Sequence, residues 1–167
     1  KKYLTKPIEE VQPHPSAFNF PGYVDSDAAR QKIVIKLDPA ERGLQSCGWY
    51  APPAEIVSVE IPTQYLNLKI RVRVGSHSDK LWEEEAWTRY PEVYREYDLP
   101  AQSNQIGIAF GGPLYFVVPP EAMIGSTPTN PAKPIPVRLT GAIQAPYFSM
   151  GRTPGDFWNE VGSRAPA

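Results

Sequence analysis

Apolar and polar residues alternate with a period of two along much of this chain. Ile33, Ile35 and Leu37 share one face of positions 32–37, and Asp38-Pro39 closes that run. Val57, Val59 and Ile61 line one face of positions 55–61, where Pro62 stops it. The longest alternation covers 66–74. Leu66, Leu68, Ile70, Val72 and Val74 point one way and Asn67, Lys69, Arg71 and Arg73 the other, the pattern of a half-buried antiparallel strand. Positions 93–99 and 106–110 alternate again. Leu114-Tyr115-Phe116-Val117-Val118 is continuously apolar and predicts a strand covered on both faces. Ile135, Val137 and Leu139 begin the last strand. Near the end, Thr153 as a cap, Pro154 at the first helical position and Asp156 by the N-terminal dipole predict one short helix.

About seven strands separated by turn signals, with no fixed repeat, predict an all-β fold. The expected architecture is an antiparallel, jelly-roll-like β-sandwich with one or two short helices. The Pro- and aromatic-rich stretch 1–27 reads as an irregular arm, and 28–167 as the sandwich domain. Composition supports this. The 20 prolines and 12 glycines suit turns and exclude a helical bundle, because each interior proline removes a helical hydrogen bond and clashes with the preceding turn. With 41% hydrophobic residues the chain has the means to bury a core.

Charge narrows the function classes. Seventeen basic against eighteen acidic residues give a net charge of −1, so nothing electrostatic points to nucleic acid. No apolar run reaches the length of a membrane-spanning helix, and positions 1–15 lack the apolar stretch of an intact signal peptide. Cys47 stands alone, so an intrachain disulfide, a four-thiolate zinc site and a CxxC pair are all excluded.

Candidate chemistry is sparse. His14 and His77 lie far apart, and no His-Glu-x-x-His is present, so no cofactor or metal set is expected within this chain. His77 and Asp79 are spaced to share a small ion, yet the simpler expectation is a turn held by Ser and Asp hydrogen bonds. Ser76-His77 carries letters of a triad, but neighbours on a strand face opposite ways. Glu83-Glu84-Glu85 reads as solvated surface. The aromatic surplus is the one feature suited to binding. Trp49-Tyr50 is expected in a turn, and Trp82 and Trp87 flank the acidic run of a polar loop, where rings hold sugars or peptides. Trp82, Trp87, Trp49, Tyr50, His77 and Asp79 are therefore the candidate substrate contacts, with no catalytic residue among them.

Five segments follow one another in a familiar order. They are Gly48-Trp49-Tyr50-Ala51-Pro52-Pro53-Ala54-Glu55, Arg71-Val72-Arg73-Val74-Gly75-Ser76-His77-Ser78-Asp79, Arg89-Tyr90-Pro91-Glu92-Val93, Phe110-Gly111-Gly112-Pro113-Leu114-Tyr115-Phe116 and Gly141-Ala142-Ile143-Gln144-Ala145-Pro146-Tyr147-Phe148. Together they resemble the leading part of the enhancin-like, mucin-degrading zinc metallopeptidases, over roughly residues 30 to 160. The resemblance implies a β-sandwich that precedes and packs on a helical zinc peptidase domain. It implies secreted or cell-surface proteins acting on O-glycosylated, mucin-type substrates. In that family the zinc ligands and catalytic glutamate come after this region, so none transfers to a residue here; zinc is expected in that further domain. The implied role is to support the catalytic domain and accommodate substrate. The alternative is a free-standing carbohydrate-binding or adhesion module.

Overall fold

The computed structural model describes residues 6–22, 24–41, 43–87, 89–119 and 133–147, with Pro154 and Asp156. The alternating runs become eight strands. They are β1 (Gln31–Leu37), β2 (Leu44–Ala51), β3 (Val57–Glu60), β4 (Arg71–Ser78), β5 (Glu92–Asp98), β6 (Ser103–Ile106), β7 (Gly112–Val117) and β8 (Ile135–Gln144). All pairings are antiparallel. One sheet runs β1-β8-β3-β6 and the other β5-β4-β7-β2, and β8 belongs to both. Its first part pairs with β1 and β3, and its last residues, Ile143 and Gln144, pair with Tyr50 and Trp49 of β2. The crossing point is Gly141, at φ +93, where a Cβ would lie 2.9 Å from the Ile56 carbonyl oxygen. Only glycine lets a strand turn this corner without strain.

The inward positions of both sheets meet in one buried cluster. Val57, Val59, Ile106, Val137 and Leu139 come from the first sheet, and Val72, Val74, Val93, Leu114 and Phe116 from the second. Residues 6–22 add Val11 and Ala17 to that cluster through two short 3₁₀ helices, Ile8–Glu10 and Pro15–Phe18.

The expected all-β antiparallel sandwich is what folds, with corrections inside it. The nine-residue alternation of 66–74 is not one strand. Thr63–Leu68 is a 3₁₀ helix, Lys69 takes a left-handed conformation, and the strand begins at Arg71. Tyr65 and Leu68 are three positions apart, which places both on one side of such a helix, and both pack against the core. Trp49 and Tyr50, expected in a turn, lie on β2. That strand is hidden in the sequence because one of its inward residues is Gln45, buried with its amide bonded to the Asp38 backbone at both N–H (2.9 Å) and carbonyl (2.6 Å). β7 is covered on one face rather than two, since Leu114 and Phe116 are buried and Tyr115 and Val117 only partly so. Three 3₁₀ helices are present among the described residues. The short helix expected from Thr153 lies, but for Pro154 and Asp156, outside the described residues.

Candidate functional site

The end of β4 and its connection to β5 carry four of the six candidate residues, and a bulge in β4 directs the first of them, His77. Val74 pairs with Arg95, but His77 pairs with Val93, so β4 holds one extra residue between them. Gly75 supplies it at φ +82, in a spot where any Cβ would collide with the Val93 carbonyl oxygen. The bulge reverses side-chain parity. Before it the even-numbered Val72 and Val74 face the core; after it the odd-numbered His77 takes that side. His77 therefore turns toward the 6–22 segment, where its ring meets Phe20 edge-on, centroids 4.4 Å apart.

Asp79 is the node of the connection. Its Oδ2 lies 2.6 Å from His77 Nε2 and accepts from Arg89 Nε at 2.8 Å and Nη2 at 2.5 Å. Its backbone N–H donates to the Pro91 carbonyl. The Arg89 guanidinium, and secondarily the His77 ring, holds the Asp79 carboxyl below the usual carboxylate range, against a smaller desolvation effect in the other direction. Arg89 also lies over the Phe20 ring at 5.3 Å. At the far end of the loop, Tyr90 meets the His14 ring edge-on at 4.7 Å, and His14 stacks on Phe110 at 4.6 Å. Thus His77-Asp79 at one end and Arg89-Tyr90 at the other are both held by residues of the 6–22 segment.

Between those anchors the loop presents Trp82 and Trp87, 69% and 53% exposed, as an edge-to-face pair with centroids 6.0 Å apart and planes at 74°. Glu83, Glu84 and Glu85 lie exposed between them. The arrangement offers aromatic faces to a partner on a loop clamped at its base.

The six candidates do not form one site. Tyr50 lies on β2, which β7 separates from β4. It lines a cavity of about 310 Å³ with Pro21, Asp25, Ile143, Gln144 and Pro146, and burial pushes its hydroxyl up to about 12. Trp49 is partly buried against the core. Sequence reasoning missed Arg89, Phe20 and His14. Arg89 opens the family-like segment 89–93, but its bond to Asp79 needs the loop to close on itself. Cys47 is no nucleophile. Its thiol donates to the Leu114 carbonyl at 3.3 Å, and desolvation pushes it up to about 11.

Zinc does not suit the donors present. Among the described residues no three His, Cys, Asp or Glu side chains gather closely enough to hold a metal ion. His77 and Asp79 give two donors, and the Asp79 oxygen is already engaged by Arg89.

Residues 26–128 match the family model described as the N-terminal domain of M60-like peptidases. The chain belongs to that family. The match agrees with the resemblance of the five segments to the leading part of enhancin-like metallopeptidases. This M60-like N-terminal domain is 29% identical over 137 residues to TRPM8 channel-associated factor 3 of Rattus norvegicus, covering 80% of this chain and 14% of that protein. It is 28% identical over 130 residues to the human TRPM8 channel-associated factor 1, covering 75% and 13%. The chain thus spans about one seventh of the curated relatives it matches. Among solved structures, the fold is shared with IMPa from Pseudomonas aeruginosa in complex with an O-glycopeptide (TM-score 0.60, 20% identity, 84% of this chain and 16% of that one). A functionally unknown conserved protein from Bacillus anthracis also shares it (TM-score 0.54, 18% identity, 80% and 26%).

Proposed function

We propose that this domain is a non-catalytic module of a secreted or cell-surface zinc metallopeptidase acting on O-glycosylated, mucin-type proteins. It supports the catalytic domain and accommodates substrate, while the zinc and the catalytic residues belong to a peptidase domain elsewhere in a longer polypeptide. Family membership and the length of the relatives support the modular part of this reading. The observation that carries the substrate part is the clamped β4–β5 loop with its exposed Trp82–Trp87 pair. Soluble proteins seldom leave two large rings side by side in water unless a partner covers them. Holding the substrate chain here raises its effective concentration at chemistry performed elsewhere.

Two measurements test this. The chain is passed over an immobilised O-glycoprotein as wild type, Trp82→Ala and Trp87→Ala, with melting temperatures taken in parallel. Each replacement is expected to weaken retention about tenfold with melting unchanged, because exposed rings contribute to binding and little to the core. Unchanged retention with a collapsed melting temperature overturns the substrate role. Reading the parent coding sequence for His-Glu-x-x-His tests the peptidase part; its absence, with Trp-dependent retention, leaves a free-standing binding module.

A further inference from the structure

We propose that the Trp82–Trp87 corner grips a cationic side chain, a lysine or arginine of a polypeptide partner, rather than the face of a sugar. This rests on the reading that the β4–β5 loop contacts a glycoprotein, and it specifies which part of that partner the loop holds.

Charge complementarity is the first argument. The run Trp82-Glu83-Glu84-Glu85-Ala86-Trp87 places three carboxylates between two indoles. The nearby guanidinium of Arg89 is committed to Asp79 through two nitrogens, which leaves Lys80 as the loop's other cation against Glu83, Glu84 and Glu85. The exposed tip therefore carries an excess of negative charge beside the electron-rich faces of two rings. A neutral sugar can take only hydroxyl hydrogen bonds from these carboxylates and gains nothing from their net charge, whereas a cation gains from both the charge and the ring quadrupoles.

Geometry is the second argument. A sugar stacks best on one open aromatic platform. Here the planes meet at 74° with centroids 6.0 Å apart, so each ring walls off the space beside the other. A compact cation in that corner lies within about 6 Å of both centroids, the range over which a ring face attracts it. The clamp at the loop's base keeps the corner formed before the partner arrives, which lowers the ordering cost of binding.

Tryptophan fluorescence of the intact chain tests this, titrated in parallel with an oligolysine peptide, an oligoglutamate peptide and free N-acetylgalactosamine. Oligolysine is expected to saturate the signal and the other two to leave it unchanged. Raising salt from about 50 to about 500 mM is expected to weaken oligolysine binding severalfold by screening. Combined replacement Glu83→Gln, Glu84→Gln and Glu85→Gln is expected to weaken it about tenfold, and Trp82→Ala to weaken it as much while melting stays unchanged. Saturation by the sugar with no response to oligolysine overturns the cation proposal yet keeps the glycoprotein reading. Oligolysine binding that persists in Trp82→Ala also overturns it, because bare charge attraction then suffices. Failure of the wider reading is seen separately, as retention on the immobilised O-glycoprotein that ignores both tryptophans.

Discussion

Gly75 and Gly43 share a left-handed backbone, φ +82 and +83, and differ in what surrounds them. A Cβ on Gly43 meets nothing within 4 Å, while one on Gly75 runs into the β5 backbone at Val93. Gly43→Ala therefore adds conformational strain alone, about 1–2 kcal/mol. Gly75→Ala adds that strain and also forces β4 and β5 apart at the bulge that aims His77. Urea denaturation is expected to show at least about 2 kcal/mol more destabilisation for Gly75→Ala than for Gly43→Ala. Equal losses would mean that the bulge relaxes freely and does not fix the direction of His77.

At the scale of elements, how much was legible depended on whether the core-facing residues were apolar. β1 and β3 followed their own periods because Ile33, Ile35, Val57 and Val59 are the inward residues. β2 escaped notice since Gln45, an amide, takes an inward place and is satisfied by the Asp38 backbone. Alternation over 66–74 overreached because Leu66 and Leu68, two residues of a 3₁₀ helix, mimic a period of two until Lys69 breaks the chain direction. The clamp on Asp79 was unreadable for another reason: it joins residues ten apart across a loop, and no local period encodes that distance. The register of β4 itself is testable. Val72→Asp buries an unpaired charge and is expected to prevent soluble folding, whereas Arg71→Gln gives up one exposed ion pair with Glu96 and is expected to cost about 1 kcal/mol or less. Soluble expression and melting of the two variants check this.

The 6–22 segment adds a pH dependence. His14 is buried, and its Nδ1 accepts from the Ser16 backbone N–H at 3.1 Å, which caps the 3₁₀ helix Pro15–Phe18 only while that nitrogen is unprotonated. Desolvation holds its pKa below the ordinary 6.5. On acidification the unfolded chain takes up a proton at His14 before the folded chain does. Stability is then full above pH about 6.5 and falls as pH drops from there toward the lowered folded value. A His14→Gln variant is expected to be less stable at pH about 7.5 and to lose this part of the slope. Urea midpoints at several pH values for both proteins measure the difference; parallel slopes would show that His14 does not supply it.

Across the whole molecule, the 6–22 segment joins the core to the candidate binding loop. Val11 and Ala17 are buried with the sandwich, His14 stacks on Phe110, and Arg95 Nη1 donates to the Lys6 carbonyl at 2.6 Å. Phe20 touches both the His77 ring and the Arg89 guanidinium, the two partners of Asp79. Removal of residues 1–22 should therefore act twice. It bares Phe110, on which His14 stacks, and takes Val11 and Ala17 out of the core, and burial at about 25 cal/mol per Å² makes that loss several kcal/mol. It also frees the base of the loop that carries Trp82 and Trp87. The two effects separate with a milder variant, because Phe20 is only partly buried. Phe20→Ala is expected to cost about 1–2 kcal/mol in stability and to weaken retention on the immobilised O-glycoprotein severalfold, through a loop no longer held in one arrangement. Val11→Ala, at a buried site away from His77 and Arg89, is expected to lower the melting temperature with retention intact below that temperature. If the two variants lower retention alike, the loop depends on overall stability and not on its Phe20 contact.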